Sequence, residues 1–387
     1  MTMAQQGLFG HRDLSYIMSK FKYLPLSYVG SKKRFLHWLW FSIEDNNFSD
    51  FETIVDPFGG SAIVSFFMRL LDKNVYCNDV LSVSHNILTA LVENPGVIVE
   101  EQELLWLTNH SIVDTKLVDT DFSYEDIGHF NERNFSNVYF TPKEAIFLDC
   151  FFHKLGLLDS KFNLSPDEYR YKKSICLASI FAFANLLPFG SVSGSKLMNY
   201  RKEQKDKYNE RCKGFYLDDE YNLHLYWIAN YIRKFSEYVV LAKDCNAGSA
   251  FNLDVSDFLA LDEVQDMDLL YLDPPYGGTF SDYLSLYNFA ETLVTQTAEP
   301  NHSNHKLDFS NAAIYDDNFH VILEQSKPIP RWVISYNSNA WQDIDYIADI
   351  VGDYKSNVVI CSHKNELQER GAMVSGKKTE EYLIFAH

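Results

Sequence analysis

The chain has 387 residues, of which 46% are hydrophobic and 15% aromatic, so it is long enough to bury a large core. Its formal net charge of −19 argues against a surface covered with phosphate contacts, although a local basic face is compatible with nucleic acid. No metal site, disulfide framework or membrane span is indicated, because the six cysteines include no CxxC pair and the longest apolar stretch, 175–189, is short and interrupted.

The first predicted strand covers residues 51–55 and is followed by a turn that contains Gly59 and Gly60. A helix is predicted to begin near Ser61. The next short strand, within NVYCNDV, ends on Asp79. This succession of strand, helix and strand is the first half of a doubly wound α/β unit.

The pattern changes between about residue 95 and residue 245, where the sequence is aromatic, polar and mostly helical in its periodicity. Strand signals then return in AFNLDVSDFLAL, DLLYLDPPY, RWVISYN, SNVVICS and EYLIFA. We therefore predict an α/β fold with a Rossmann-like sheet and an inserted, mainly helical lobe. The two parts of the sheet domain are 1–94 and 246–387, and the inserted lobe is 95–245. The sequence assigns no role to the polar stretch 291–320.

A tetrapeptide of Asp273, Pro274, Pro275 and Tyr276 directly follows the apolar run DLLYL. The carboxyl end of a parallel strand faces the ligand crevice, and two consecutive prolines form a stiff loop there. Asp273 and the Pro274 carbonyl can accept the two hydrogens of a planar amine, while Tyr276 stacks on its ring. Two fixed acceptors favour a more pyramidal and more reactive nitrogen on a base amine, which is otherwise a poor nucleophile. The alternative is an ordinary strand-end turn.

A second candidate site follows the first strand, in Asp56-Pro57-Phe58-Gly59-Gly60. Glycines at this position allow a ligand to approach the backbone at the start of a helix. The segment matches neither GxGxxG nor a Walker motif, which disfavours phosphate binding. Asp79 lies about 20 residues further on and ends the second strand, where an acid commonly binds a ribose diol. Asp56 and Asp79 also have a simpler interpretation as turn residues.

These motifs resemble the Dam-like DNA adenine methylases, the alpha class of amino-methyltransferases, over most of the chain. The order of the motifs, with a long insert between the second and the third, is the order of that class. Two positions depart from the family pattern, since Tyr28 replaces the usual Trp and Ser31 replaces the second Gly of its W-x-G-G-K segment. The matching segments are 28–32, 56–60, Asp79, Asp257-Phe258 and 273–276.

The resemblance implies S-adenosylmethionine as the cofactor. It places Asp79 at the ribose, Asp257 at the cofactor adenine, and Tyr28 and Lys32 near the methionine end, where a lysine can pair with the cofactor carboxylate. Lys33 and Arg34 are nearby alternatives, and a solvated basic face is the simpler interpretation of all three. The positions assigned to the cofactor are Tyr28, Lys32, Asp56, Phe58, Gly59, Gly60, Asp79, Asp257 and Asp273. The catalytic positions are Asp273, Pro274, Pro275 and Tyr276.

The implied activity is site-specific methylation of adenine N6 in double-stranded DNA, with the target base flipped out of the helix to reach Asp273. Two alternatives stay open: methylation of cytosine N4 or an RNA base, and an inactive relative that only binds DNA. A separate restriction endonuclease acting on the same site is a candidate partner. Because the first residues of the chain lack an apolar signal core, we expect a cytoplasmic protein.

A local excess of basic residues marks the candidate DNA-binding surface. The window 167–213 contains ten Lys or Arg and five Asp or Glu, which gives it a net charge of +5 in an otherwise acidic chain. Its side chains include types that contact base edges and types that contact phosphates. The alternative is a solvated charged helix. The predicted DNA-binding residues are Lys196, Asn199, Arg201, Lys202, Lys205 and Lys207.

Overall fold

The structure is a computed structural model that describes residues 13–26, 28–113, 116–119, 121–136, 138–140, 142–186, 220–277, 282–298, 305–364 and 380–387. Its strands are β1 (Thr53–Asp56), β2 (Asn74–Asn78), β3 (Ser111–Val113), β4 (Lys116–Val118), β5 (Ser249–Phe251), β6 (Leu269–Leu272), β7 (Arg331–Asn337), β8 (Val358–Lys364) and β9 (Glu380–Ala386). Strands β3 and β4 form a small antiparallel hairpin, and the other seven strands form one sheet.

The seven-stranded sheet has the order β5-β2-β1-β6-β7-β9-β8. Strands β5, β2, β1, β6 and β7 are mutually parallel, whereas β9 runs antiparallel between β7 and β8. The direction of strand succession reverses between β1 and β6, and in open parallel sheets this switch point forms the ligand crevice. The predicted Rossmann-like α/β fold is confirmed.

The helices cover both faces of this sheet. They are α1 (Leu14–Phe21), α2 (Leu36–Asp45), α3 (Ile63–Leu70), α4 (Ser82–Leu88), α5 (Glu101–Thr108), α6 (Phe130–Phe135), α7 (Pro142–Gly156), α8 (Leu158–Phe162), α9 (Pro166–Leu186), α10 (Glu220–Ala242), α11 (Val255–Leu259), α12 (Asp262–Gln265), α13 (Tyr283–Thr295), α14 (Tyr315–Gln325) and α15 (Ile344–Gly352). Thr89–Glu93 continues α4 as a π-helix, and short 3₁₀ turns occupy Lys32–Arg34 and Tyr124–Asp126. No helix in the described part of the chain is long and apolar enough to cross a membrane.

Alternate residues of the central strands face two hydrophobic clusters, one on each side of the sheet. Ile54 and Leu269 belong to one cluster, and their neighbours Val55 and Leu270 belong to the other. A strand that is apolar on both faces is typical of a parallel sheet covered by helices. The central strands therefore appear in the sequence as continuous apolar runs.

The insert between β2 and β5 packs directly on the sheet domain. Helix α9 lies against α4 and α10, and their apolar side chains join the same cluster as β1 and β2. The fully buried Arg69 of α3 donates to the carbonyls of Leu91 at 2.7 Å and Ala242 at 3.2 Å. The described helices of the insert and the sheet thus share one core, and the division at 94 and 245 stays a prediction.

Candidate active site

A cavity of about 280 Å³ opens at the carboxyl ends of β1, β2 and β6. Asp56 is the last residue of β1, Asp79 follows β2, and Asp273 follows β6, so three carboxyl groups reach one cavity from three strands. The sequence-predicted residues that line this cavity are Tyr28, Lys32, Asp56, Phe58, Gly59, Gly60, Asp79, Asp273, Pro274, Pro275 and Tyr276.

The turn after β1 requires its glycines for two different reasons. Gly60 has a φ of +48°, in the left-handed region that favours glycine. A Cβ on Gly59 would lie 2.8 Å from the side chain of Leu88 and 3.3 Å from the carbonyl of Asn78, so a larger residue would require Leu88 or the turn to shift. The backbone amide of Gly59 donates to the carbonyl of Asn78 at 2.8 Å and joins this turn to the end of β2.

Asp79 fixes the floor of the cavity. Its two carboxylate oxygens accept backbone hydrogen bonds from Gly60 at 2.8 Å and from Leu81 at 2.9 Å. Burial raises the pKa of Asp79 to about 7, against the opposing effect of these hydrogen bonds. Each carboxylate oxygen can accept a further hydrogen bond, so Asp79 is still able to bind a ligand hydroxyl.

Asp56 is the most buried of the three acids, with 2% of its surface exposed. Ser65 of α3 donates to it at 2.5 Å. Burial nevertheless raises the pKa of Asp56 to about 7, and the nearby Asp273 carboxylate adds to the effect. Together with the apolar Phe58, the carboxyl groups of Asp56 and Asp79 suit a nucleoside. The ribose hydroxyls of a nucleoside donate hydrogen bonds, and its base requires an apolar surface.

Lys32 contacts the tetrapeptide after β6 directly. Its Nζ lies 3.0 Å from Asp273 Oδ1 and donates to the Tyr276 hydroxyl at 2.8 Å and to the Gly30 carbonyl at 3.2 Å. Burial alone would lower the pKa of Lys32, but the charges of Asp273 and Glu381 outweigh it and raise this pKa. Lysine at this position therefore stays protonated and holds the carboxylate after β6.

The Tyr276 hydroxyl completes this network. It donates to Asp273 Oδ1, and Ser335 Oγ lies 3.0 Å from it. Lys32 and Tyr276 thus both contact Oδ1, which leaves Asp273 Oδ2 without a hydrogen-bond partner among the described residues. Ser335 belongs to β7 and was not predicted, since only the folded sheet brings β7 beside β6.

The next residue, Gly277, fixes the direction in which the chain leaves the tetrapeptide. Its φ is +78°, and a Cβ there would lie 2.2 Å from the ring of Trp341. Trp341 also donates its backbone amide to the Tyr276 carbonyl at 3.4 Å. The loop after β7 therefore packs on the loop after β6, and the ring of Trp341, 39% exposed, lies at this junction.

Tyr28 also lines the cavity. Its ring stacks on Tyr287 with centroids 4.4 Å apart, and its hydroxyl is 3.0 Å from Ser84 Oγ. Tyr287 in turn accepts the backbone amide of Val29 at 2.9 Å through its own hydroxyl. The tyrosine that replaces the family's tryptophan is thus held by α4 and α13 and presents its ring to the cavity.

Asp257 does not reach the cavity. Its side chain is 47% exposed and forms an ion pair with Lys306. The residue from this segment that lines the cavity is Asp254, which caps α11 by accepting the backbone amide of Ser256 at 2.9 Å. The sequence contained a signal for Asp254, because an Asp three residues into the loop after a strand is a common helix N-cap.

The predicted DNA-binding residues lie outside the described part of the chain. They are Lys196, Asn199, Arg201, Lys202, Lys205 and Lys207.

Comparisons with known proteins show a family match over most of the chain. The family described as D12 class N6 adenine-specific DNA methyltransferase matches residues 28–338. The type II methyltransferase M2.HphI of Haemophilus parahaemolyticus is 26% identical over 326 residues, which is 83% of this chain and 85% of that protein. The type II methyltransferase M.FokI of Planomicrobium okeanokoites is 24% identical over 283 residues, which is 70% of this chain and 37% of that protein.

Replacement of Asp56 by Asn should change how stability depends on pH. The folded state retains a proton up to a pKa of about 7, whereas the unfolded carboxyl loses it near its ordinary value of 3.8. The wild-type free energy of unfolding therefore falls as pH rises between these values. Because Asn does not ionise, the Asp56→Asn variant should gain stability relative to wild type between about pH 5 and about pH 8, as measured by denaturant unfolding.

The matched control is Asp268→Asn, at the other end of β1. Burial alone would raise the pKa of Asp268, but hydrogen bonds from Thr53 and Glu52 outweigh it and lower this pKa. The difference between wild type and Asp268→Asn should therefore stay constant over the same pH range. A constant difference for Asp56→Asn as well would contradict the assignment.

Proposed function

Because the chain belongs to the D12 class of N6 adenine-specific DNA methyltransferases and so methylates adenine N6 at specific DNA sites, we propose that the cavity at the ends of β1, β2 and β6 holds both the methyl donor and the target base. The observation that carries this proposal is the arrangement around Asp273. One carboxylate oxygen is held by Lys32 and Tyr276, and the other has no hydrogen-bond partner among the residues that the structure describes.

The target amine would bind to the available acceptors of the tetrapeptide. Asp273 Oδ2 accepts one N–H of the adenine amine, and the Pro274 carbonyl accepts the other. Both acceptors are fixed before the base arrives, because prolines stiffen the loop and two residues hold Oδ1. These acceptors favour the pyramidal amine that transfer requires, and the base must leave the DNA stack to reach them.

Lys32 and Tyr276 act on the base through Asp273. We assign Lys32 as a positioning residue, because its ammonium group contacts Asp273 and the Tyr276 hydroxyl at the same time. Tyr276 has two roles: its ring offers a surface on which a base stacks, and its hydroxyl orients the carboxylate. The resemblance placed Lys32 at the cofactor carboxylate, and the contacts favour Asp273 as its partner.

The methyl donor that fits this site is S-adenosylmethionine, which supplies a methyl group bound to a positively charged sulfur. Asp79 would bind the ribose hydroxyls, with Asp56, Phe58 and the glycine turn beside it. Tyr28 would contact the methionine end from the wall formed by α4 and α13. Six aspartates line the cavity against one lysine, which gives the cavity a negative potential that favours a cationic ligand.

The family match decides between the chemical alternatives, because it is specific for adenine and for DNA. The intact tetrapeptide and its held carboxylate support activity over a purely DNA-binding role. We further infer that residues 95–245 recognise the target sequence and that a restriction endonuclease with the same site accompanies the enzyme, since both relatives are type II methyltransferases. The basic window 167–213 is the candidate DNA surface.

Asp273→Ala should lower methyl transfer by about 100-fold or more, because the amine loses a fixed acceptor. Tyr276→Phe should lower it by about tenfold, since Asp273 loses one of its two orienting contacts. Tyr276→Ala should lower it further because the stacking surface is lost as well. The measurement is transfer of a labelled methyl group to DNA from a methylase-free host. Near wild-type transfer by a folded Asp273→Ala protein would exclude this assignment.

Asp79→Ala should weaken cofactor binding by about 10- to 100-fold, because a carboxylate that accepts ribose hydroxyls is removed. Calorimetry with S-adenosylhomocysteine measures this effect. Asp79→Asn is the control for structure, since an amide oxygen can still accept one backbone hydrogen bond of the turn. An unchanged dissociation constant in both variants would rule out ribose binding at Asp79.

Charge reversal of Lys202, Lys205 and Lys207 should weaken DNA binding and make its salt dependence shallower, because fewer counterions are released. Cofactor affinity should stay at the wild-type value. Binding of a duplex that contains the target site, measured over a series of salt concentrations, tests this expectation. The same reversal at Lys234, Lys243 and Lys327, which lie outside the window, is the control. If both triple variants show the same slope, the DNA surface lies elsewhere.

A further inference from the structure

Residues 305–310 form a wall of the cavity, although the sequence assigned no role to the stretch that contains them. His305, Leu307, Asp308, Phe309 and Ser310 line the cavity, and Lys306 does not. They are far from the recognised motifs in sequence, since they follow Asp273 by more than 30 residues. We call residues 305–310 the cavity wall.

Asp254 tethers the backbone of the cavity wall. Its Oδ2 accepts the backbone amide of Lys306 at 2.6 Å and that of Leu307 at 3.3 Å, while its Oδ1 caps α11. Asp254 is itself only 3% exposed. One buried carboxylate therefore fixes both the loop after β5 and the wall.

Asp257 tethers the wall from outside. It forms an ion pair with the Lys306 side chain, which turns that side chain away from the cavity while its neighbours line it. Asn318 adds a further contact by donating to the Asp308 carbonyl at 2.8 Å. The two aspartates of the DVSD segment thus both hold Lys306, one by its backbone and one by its side chain.

The inner side of the wall packs on a residue already assigned to the cofactor. The ring of Phe309, 5% exposed, meets the ring of Phe58 edge-on with centroids 5.8 Å apart. Phe309 also packs edge-on against Tyr315. Leu307 and Phe309 therefore add apolar surface beside the polar His305, Asp308 and Ser310. Apolar surface with a few polar groups suits a flat base, which needs both ring contact and hydrogen-bond partners.

The order of the strands identifies the end of the cofactor that this wall meets. Asp273 follows β6, Asp79 follows β2, and Asp254 follows β5 on the far side of β2. With strands about 4.8 Å apart, Asp254 lies about three strand spacings from Asp273. A cofactor whose methyl group reaches Asp273 and whose ribose reaches Asp79 extends its base toward β5.

We propose that the cavity wall, residues 305–310, binds the adenosine end of the cofactor and that Asp254 and Asp257 act on the cofactor by holding this wall. The proposal rests on the proposed function, because it takes Asp79 as the ribose site and Asp273 as the methyl-transfer site. It also explains why Asp257 lies outside the cavity: its partner is Lys306.

The test compares two ligands that share the adenosine end. S-adenosylhomocysteine carries the amino-acid group, and 5′-methylthioadenosine lacks it. Leu307→Ala should weaken the binding of both by the same factor, about tenfold, because apolar contact is lost at the shared end. Lys306→Met should weaken both by about threefold through loss of its exposed ion pair with Asp257. Lys327→Met, which removes an exposed ion pair with Glu324, is the matched control and should change neither.

Equal losses for the two ligands, with an unchanged unfolding midpoint for Lys306→Met, support the proposal. A loss restricted to S-adenosylhomocysteine overturns it, because the wall would then meet the amino-acid end. Wild-type affinity for both ligands in a folded Leu307→Ala protein also overturns it. Failure of the wild-type protein to bind S-adenosylhomocysteine is a different outcome, which contradicts the proposed cofactor and the wall proposal together.

Discussion

The ion pair between Lys32 and Asp273 is the contact on which the site depends. It joins a loop that precedes the whole sheet to the loop after β6, and the two side chains are only 8% and 17% exposed. A buried pair of this kind loses hydration on both sides and is stable only when further hydrogen bonds satisfy it. Gly30 and Tyr276 supply those hydrogen bonds. The result is a carboxylate whose Oδ1 is held in place by Lys32 and Tyr276.

Asp56 and Asp79, the acids at the ends of β1 and β2, both have raised pKa values. Burial brings the pKa of both Asp56 and Asp79 to about 7, so near neutrality each exchanges a proton easily. A positively charged ligand stabilises the ionised form of these groups, and the ionised form in turn binds such a ligand more tightly.

The fold links the insert between β2 and β5 to the site through a shared core. Helix α9 packs against α4, which follows Asp79, and α10 packs against α9 and the π-helix Thr89–Glu93. The buried Arg69 connects α3 to the end of α10. Densely packed interiors transmit displacements from one element to the next. The insert thus packs on α4, which together with α13 holds Tyr28.

The sequence by itself determined the fold class, the order of the motifs and the acids at the ends of β1, β2 and β6. These follow from local patterns: apolar runs between turns specify buried strands, and strand ends specify which residues reach the crevice. Tertiary structure alone decided that Lys32 holds Asp273, that Asp254 rather than Asp257 lines the cavity, and that residues 305–310 close one wall. The first and the third are contacts between segments far apart in sequence. The second depends on which face of one helical turn meets the cavity. Residue spacing does not encode such contacts, because they depend on how the packed elements meet in space.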